Sequence, residues 1–118
     1  MLSDQRMMNL GKLLDVASLR ARVHTANIAN QNTPNFRARA VAFDEAFQQA
    51  LLQSGDEAAR AVQPQVFEPH TTTMDNDGND VSVDREVSEL AKNQTLYNTY
   101  VSLLRGKHRM YESAIREG

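Results

Sequence analysis

From Val83 to Ile115 the sequence keeps an unbroken heptad register, and this stretch limits the possible folds more than any other. Val87, Gln94, Val101, His108 and Ile115 fall on one row (position a). Val83, Leu90, Tyr97, Leu104 and Tyr111 fall on a second (position d). Steps of four and three without a slip predict a helix that packs lengthwise on another helix. It would be roughly 50 Å long at about 1.5 Å per residue. Such a rod cannot fold back on itself, so it needs a partner. Leu96, Tyr100, Leu103 and Met110 lie beside the two rows and make the apolar arc wider than a two-helix seam requires. That surplus is expected to face a neighbouring subunit. Gly106 points away from the seam; it marks a bend, a close approach by another chain, or a tolerated glycine.

The partner within the chain is the stretch from Ser3 to Ala29. Met7, Leu14, Ala21 and Ile28 form one row, Ser3, Leu10, Ala17 and His24 the other, and Leu13, Val16 and Val23 widen the same side. The pattern is weaker than the C-terminal one, because Ala and Ser on a seam permit close approach but bury little area. Each missing CH₂ forgoes about 0.8 kcal/mol. An antiparallel hairpin with Met7 near Tyr111 places His24 opposite Gln94, about 20 Å from His108 along the axis. The two histidines then share no metal, and Gln94 and His108 read as register markers.

Between the two helices the chain changes character twice. Asn27 to Phe36 holds four Asn within nine positions and Pro34, which ends the first helix in a polar turn. Phe36 to Phe43 alternates loosely and reads as extended. Asp44 to Leu52 reads as a short amphipathic helix with Phe43, Ala46, Phe47, Ala50 and Leu51 on its apolar face. From Ser54 to Asp80, Gly55, Pro64, Pro69, Gly78 and an Asp/Asn cluster argue against helix. Gln65 to Glu68 is a candidate strand, and the whole segment is expected to be mobile or ordered by a partner. Ser82 or Asp84 can cap the final helix. The expected fold is mainly α: an elongated antiparallel coiled-coil hairpin of N- and C-terminal helices, with a short helix and an irregular or short β-containing middle. The chain reads as one domain, with boundaries near 1–30, 31–80 and 81–118.

Bulk chemistry excludes more than it selects. The 118 residues contain no Cys, so there is no disulfide framework, thiol nucleophile or zinc–thiolate site. A net charge of -2 offers no long-range attraction for nucleic acid or an acidic membrane. No apolar run approaches the ~20 residues needed to span a bilayer, and no secretory signal peptide is visible, so the default compartment is the cytoplasm. Thr73, Asp75, Asp77 and Asp84, with Gly78 as the sixth position, approximate a calcium loop, and a calcium-responsive helical binding module is the alternative reading. Its first ligand is a Thr, its twelfth is a short Asp, and no helix leads into it. Arg20, Arg22, Arg37 and Arg39 form a basic group near the turn, but only Phe36 among them could stack on a base. No nucleophile–base arrangement, phosphate loop or carboxylate pair suggests catalysis.

Two motifs carry a family resemblance. Asn27-Ile28-Ala29-Asn30, then Asn32, Thr33-Pro34 and Phe36, resembles the N-terminal signature of the bacterial flagellar rod and hook protein family. Asn35 stands where Gly is common, and Asn also tolerates a left-handed backbone. Asn79 to Glu86, followed by Glu89 to Gln94, resembles the C-terminal signature of the short, proximal rod members. The resemblance implies a non-enzymatic building block whose paired terminal helices stack into a hollow periplasmic rod that transmits torque and encloses an export channel. Packing within and between subunits would fall on Met7, Leu10, Leu14, Ala17, Ala21 and Ile28, and on Val87, Leu90, Tyr97, Val101, Leu104, Tyr111 and Ile115. The implied partners are copies of itself, other rod proteins, the adaptor FliE and the membrane ring, and the flagellar type III export apparatus. No cofactor, metal, nucleic acid or direct membrane insertion is implied. Export without a cleaved signal peptide would replace the cytoplasmic default.

Overall fold

Two long helices carry the molecule. The computed structural model describes residues 2–117, with side chains from residue 5 onward; the Ser3 seam position therefore lies outside the described side chains. Helix α1 spans Leu2–Ala29 and α4 spans Val83–Glu117. Strand β1 (Ala40–Ala42), helices α2 (Asp44–Ser54) and α3 (Asp56–Ala61), and strand β2 (Gln65–Phe67) lie between them. The fold is mainly helical and elongated, with principal extents of 66 × 28 × 14 Å. The expected strand at 65–68 pairs antiparallel with β1, Val41 opposite Val66. Helix α3 departs from the sequence reading. Gly55, at φ +92°, reverses the chain, and Asp56 and Glu57 then supply acidic groups to the first turn of a new helix.

Helix α1 is covered on two sides. Along one it packs antiparallel on α4. On another, Val16 joins Phe43, Phe47 and Ala59 in the best-buried apolar cluster, with Leu13, Val41, Ala50 and Val62 packed against it. The Phe43 and Phe47 rings sit 5.1 Å apart, centroid to centroid, in a tilted pair. The face of α2 is thus only partly used as expected, because Ala46 and Leu51 stay exposed. Asn9 fastens α3 to α1: its amide donates to Asp56 Oδ1 (2.7 Å), and its Oδ1 accepts from Arg60 (3.1 Å).

Within the middle segment, residues 72–81 turn back onto the end of α1, held there by their own side chains.

Candidate functional site: a polar clasp and the seam it sets

The Asn-rich turn and the Asn79–Asp80 pair are far apart in sequence and interlock in space. Asn27, 1% exposed at the end of α1, reads both backbone groups of one residue: its Nδ2 donates to Arg39 O (2.8 Å) and its Oδ1 accepts from Arg39 N (3.0 Å). That is the bonding a neighbouring strand would supply, delivered by one amide. Asn79, equally buried, sends its Nδ2 to Asn30 O and Thr33 O, both at 2.8 Å, while its Oδ1 accepts from Val81 N. Asp80 Oδ1 accepts from Ala38 N at 2.6 Å, and Thr72 Oγ1 donates to the Asp80 carbonyl. Arg37 Nε lies 3.1 Å from Asp80 Oδ2, an ion pair whose direction is not that of a hydrogen bond, while Arg37 Nη2 reaches His70 Nδ1 at 2.5 Å. Each buried polar side chain therefore closes backbone groups that a turn would otherwise leave open.

Two residues let the halves meet. Asn35 adopts φ +65°, the left-handed conformation where Gly is common in the motif, and its N–H donates to Asp77 O at 2.8 Å. Gly78 is at φ +83°, and a Cβ there would lie 2.4 Å from Asn35 Oδ1, so a side chain is excluded by contact as well as by φ. Elsewhere in the motif, Asn30 Nδ2 caps the Ala26 carbonyl and its Oδ1 accepts from Thr33 Oγ1. Asn32 and Pro34 are at the surface, and half-buried Phe36 lies under the Arg39 guanidinium, 5.6 Å from the ring centre.

This placement corrects the calcium reading. Asp77 Oδ1 accepts from Asn79 N, the Asp75 backbone closes the tight loop with Gly78 and Asn79, and Asp84 stands exposed in the first turn of α4. Among the described residues no group of three or more His, Cys, Asp or Glu side chains could hold a metal ion. Ser82, rather than Asp84, sits at the cap: its Oγ accepts weakly from Arg85 N and its carbonyl from Glu86 N. The basic group is only partly kept together: Arg20, paired with Asp44 at 3.2 Å, and Arg39 line one cavity, while Arg37 turns into the clasp and Arg22 stands exposed.

Beyond the clasp the seam begins, and its register differs from the sequence reading. His24 Nδ1 meets Glu86 Oε2 at 2.5 Å, and Asn93 Nδ2 donates to Ala17 O at 2.8 Å. In both pairs the residue numbers add to 110 rather than 118, a slide of eight residues, or about 12 Å. Gln94 and His108 are not register markers: both are exposed, bonded along their own helix to Asn98 and Glu112. The markers are Glu86 and Asn93, one heptad apart, both buried and neither on row a or d. The small Ala17 leaves its carbonyl open to the Asn93 amide, so the weak apolar row of α1 becomes its polar docking point.

These polar pairs rotate α4. Its inner face is row d together with Glu86, Asn93 and Tyr100; Leu90, Tyr97, Leu104 and Tyr111 are half-buried. Row a turns to the rim, with Val87 53% exposed and only Val101 half-covered, while Ile115, 77% exposed, lies past the start of α1 in this register. Leu96, Leu103 and Met110 are exposed on the other rim, while Tyr100 is half-buried against the hairpin. On α1, Leu10 and Ala17 are buried, and Met7, Leu14, Ala21 and Ile28 are half-buried.

These features define a class first: an elongated two-helix protein whose buried polar side chains lock its own turns and whose long helix carries exposed apolar rims. No family model matches the chain. Curated relatives do. It is 34% identical over 105 residues to the flagellar basal body rod protein FlgB of Borreliella burgdorferi, covering 74% of this chain and 78% of that one. It is 32% identical over 124 residues to the protein of the same name from Bacillus subtilis, covering 93% and 92%. With that of Aeromonas hydrophila the identity is 35%, covering 80% of each. The chain belongs to the FlgB family of flagellar basal body rod proteins.

Proposed function

We propose that this chain is a structural subunit of the flagellar basal body, one domain that self-assembles through its terminal helices into the hollow proximal rod. The observation that carries the reading is the pair of apolar rims on α4. Val87 on one side, and Leu96 and Leu103 on the other, are exposed although α1 already fills the face between them, and Met110 and Ile115 are exposed where α4 runs past the start of α1. A helix covered on one face and apolar on both flanks of it has room for neighbours on each side. The buried and half-buried rows of the hairpin, Leu90, Tyr97, Val101, Leu104 and Tyr111 against Met7, Leu10, Leu14, Ala17, Ala21 and Ile28, supply the packing that holds a subunit under load.

The membership implies association with other basal body components. More finely, the subunit would transmit torque and line an export channel, meet the adaptor FliE and the membrane ring at the proximal end, and arrive through the type III apparatus without a cleaved signal. Among the described residues no helix is long and apolar enough to cross a membrane.

Leu104→Asp tests the reading in cells. Half-buried Leu104 lines a cavity with Met7 of α1, rimmed by Arg105, His108 and Arg109, and Asp there removes the apolar contact with α1 and places a carboxylate at the seam. Loss of rods and of swimming is expected; a normally motile Leu104→Asp strain would refute the packing argument.

A further inference from the structure

Gly106 stands inside α4, where an added Cβ would meet nothing within 4 Å. Neither the packing of this chain nor its backbone calls for a glycine there, and glycine weakens a helix interior. Leu103 and Met110, three residues before and four after it, share its face. Both are exposed, Met110 to 71%. The three residues form a notch with apolar walls and bare backbone as its floor. Arg109 borders it, and Arg116 continues that edge one heptad on, paired only loosely with Glu112 at 4.0 Å.

Helix α2 carries the complementary shape. Leu52 is 78% exposed, and exposed Glu45 lies one heptad before it on the same face. From Asp44 to Ala61 there are four carboxylates and one Arg; from Arg105 to Glu117 there are four Lys or Arg and two carboxylates. We propose that Leu52 of a second copy enters the notch over Gly106, with α2 antiparallel to α4, so that Glu45 falls between Arg109 and Arg116. The inference rests on the self-assembly reading and names the two surfaces that meet. Because they are different faces, the contact is heterologous, the kind that propagates as an open helical rod wherever its rotation does not close a ring. The opposed charges orient the encounter.

The chain has no Cys, so cross-linking can test the contact cleanly. Full-length Leu52→Cys and Gly106→Cys variants are oxidised separately and mixed, at a concentration where the wild type associates by analytical ultracentrifugation. A disulfide dimer is expected in the mixture and in neither variant alone. Gly106→Leu is expected to keep its far-ultraviolet circular dichroism and thermal midpoint while losing association, and Glu45→Arg to weaken association by about tenfold. A dimer formed by either Cys variant alone, no dimer in the mixture, or full association of Gly106→Leu would overturn the docking while leaving self-assembly standing. A wild type that stays monomeric at every concentration would overturn the self-assembly reading itself.

Discussion

Asp80→Ala tests whether the polar clasp holds the two motifs together. The Asp80 side chain is 1% exposed, against 23% for its partner Arg37. Its Oδ1 accepts from the buried Ala38 N–H at 2.6 Å. Losing a hydrogen bond to a charged group, and leaving that N–H without an acceptor, costs about 2 kcal/mol. The ion pair adds about 1 kcal/mol at most, since Arg37 is partly solvated and also bonded to His70. Asp80→Asn keeps an oxygen toward Ala38 and gives up only the charge, so its loss is about 1 kcal/mol. For a chain of this size roughly 4 °C is lost per kcal/mol. The thermal midpoint should therefore fall by about 12 °C in Asp80→Ala and about 4 °C in Asp80→Asn. Thermal unfolding followed by far-ultraviolet circular dichroism reads both. Equal falls in the two variants, or an Asp80→Ala midpoint within about 2 °C of wild type, would mean that the carboxylate is not what closes the turn.

Three further perturbations address other links. Either His24→Leu or Glu86→Leu strands a buried polar partner and should cost about 3 kcal/mol, whereas the double substitution should recover much of that; additive losses in urea titrations would argue against the pair as the register lock. Gly78→Ala combines a positive φ with a Cβ 2.4 Å from Asn35 Oδ1, and should lose about 2 kcal/mol or more by the same measurement; a neutral result would show that the two turns can separate without cost. Leu90→Ala, on the half-buried row, should destabilise the monomer by about 1–2 kcal/mol, while Val87→Ala on the exposed rim should stay within about 0.5 kcal/mol. Reversal of that order would restore the a/d seam.

Periodicity alone was enough for the two long helices and the short helix after Phe43, because each sits on one repeating face; the strand at Gln65, exposed along its length, showed only as a short β-prone run between prolines. Composition likewise exposed the turn at Asn27 to Phe36. Helix α3 was not legible, since six residues following a glycine are shorter than any apolar repeat. Glu86 and Asn93 could have been found only by asking which polar residues recur one heptad apart beside row d; a search for apolar residues passes over them. Asn79 and Asp80 read as turn formers, because the backbone groups they satisfy lie more than forty residues away.

By itself, then, the sequence determined that two rods must pair and that their apolar surface exceeds what one pairing can cover. Hydrophobic spacing is a property of each helix alone, so it survives without knowledge of the partner. The tertiary structure alone decided how the rods pair: the slide of eight residues, the rotation that turns Val87 to the rim, and the return of residues 72–81 onto the end of α1. Those choices follow from buried polar groups that must find partners, His24 with Glu86, Asn93 with the Ala17 carbonyl, and Asp80 with Ala38. A hydrogen bond is short and directional, so it selects one register among the several that apolar contact tolerates.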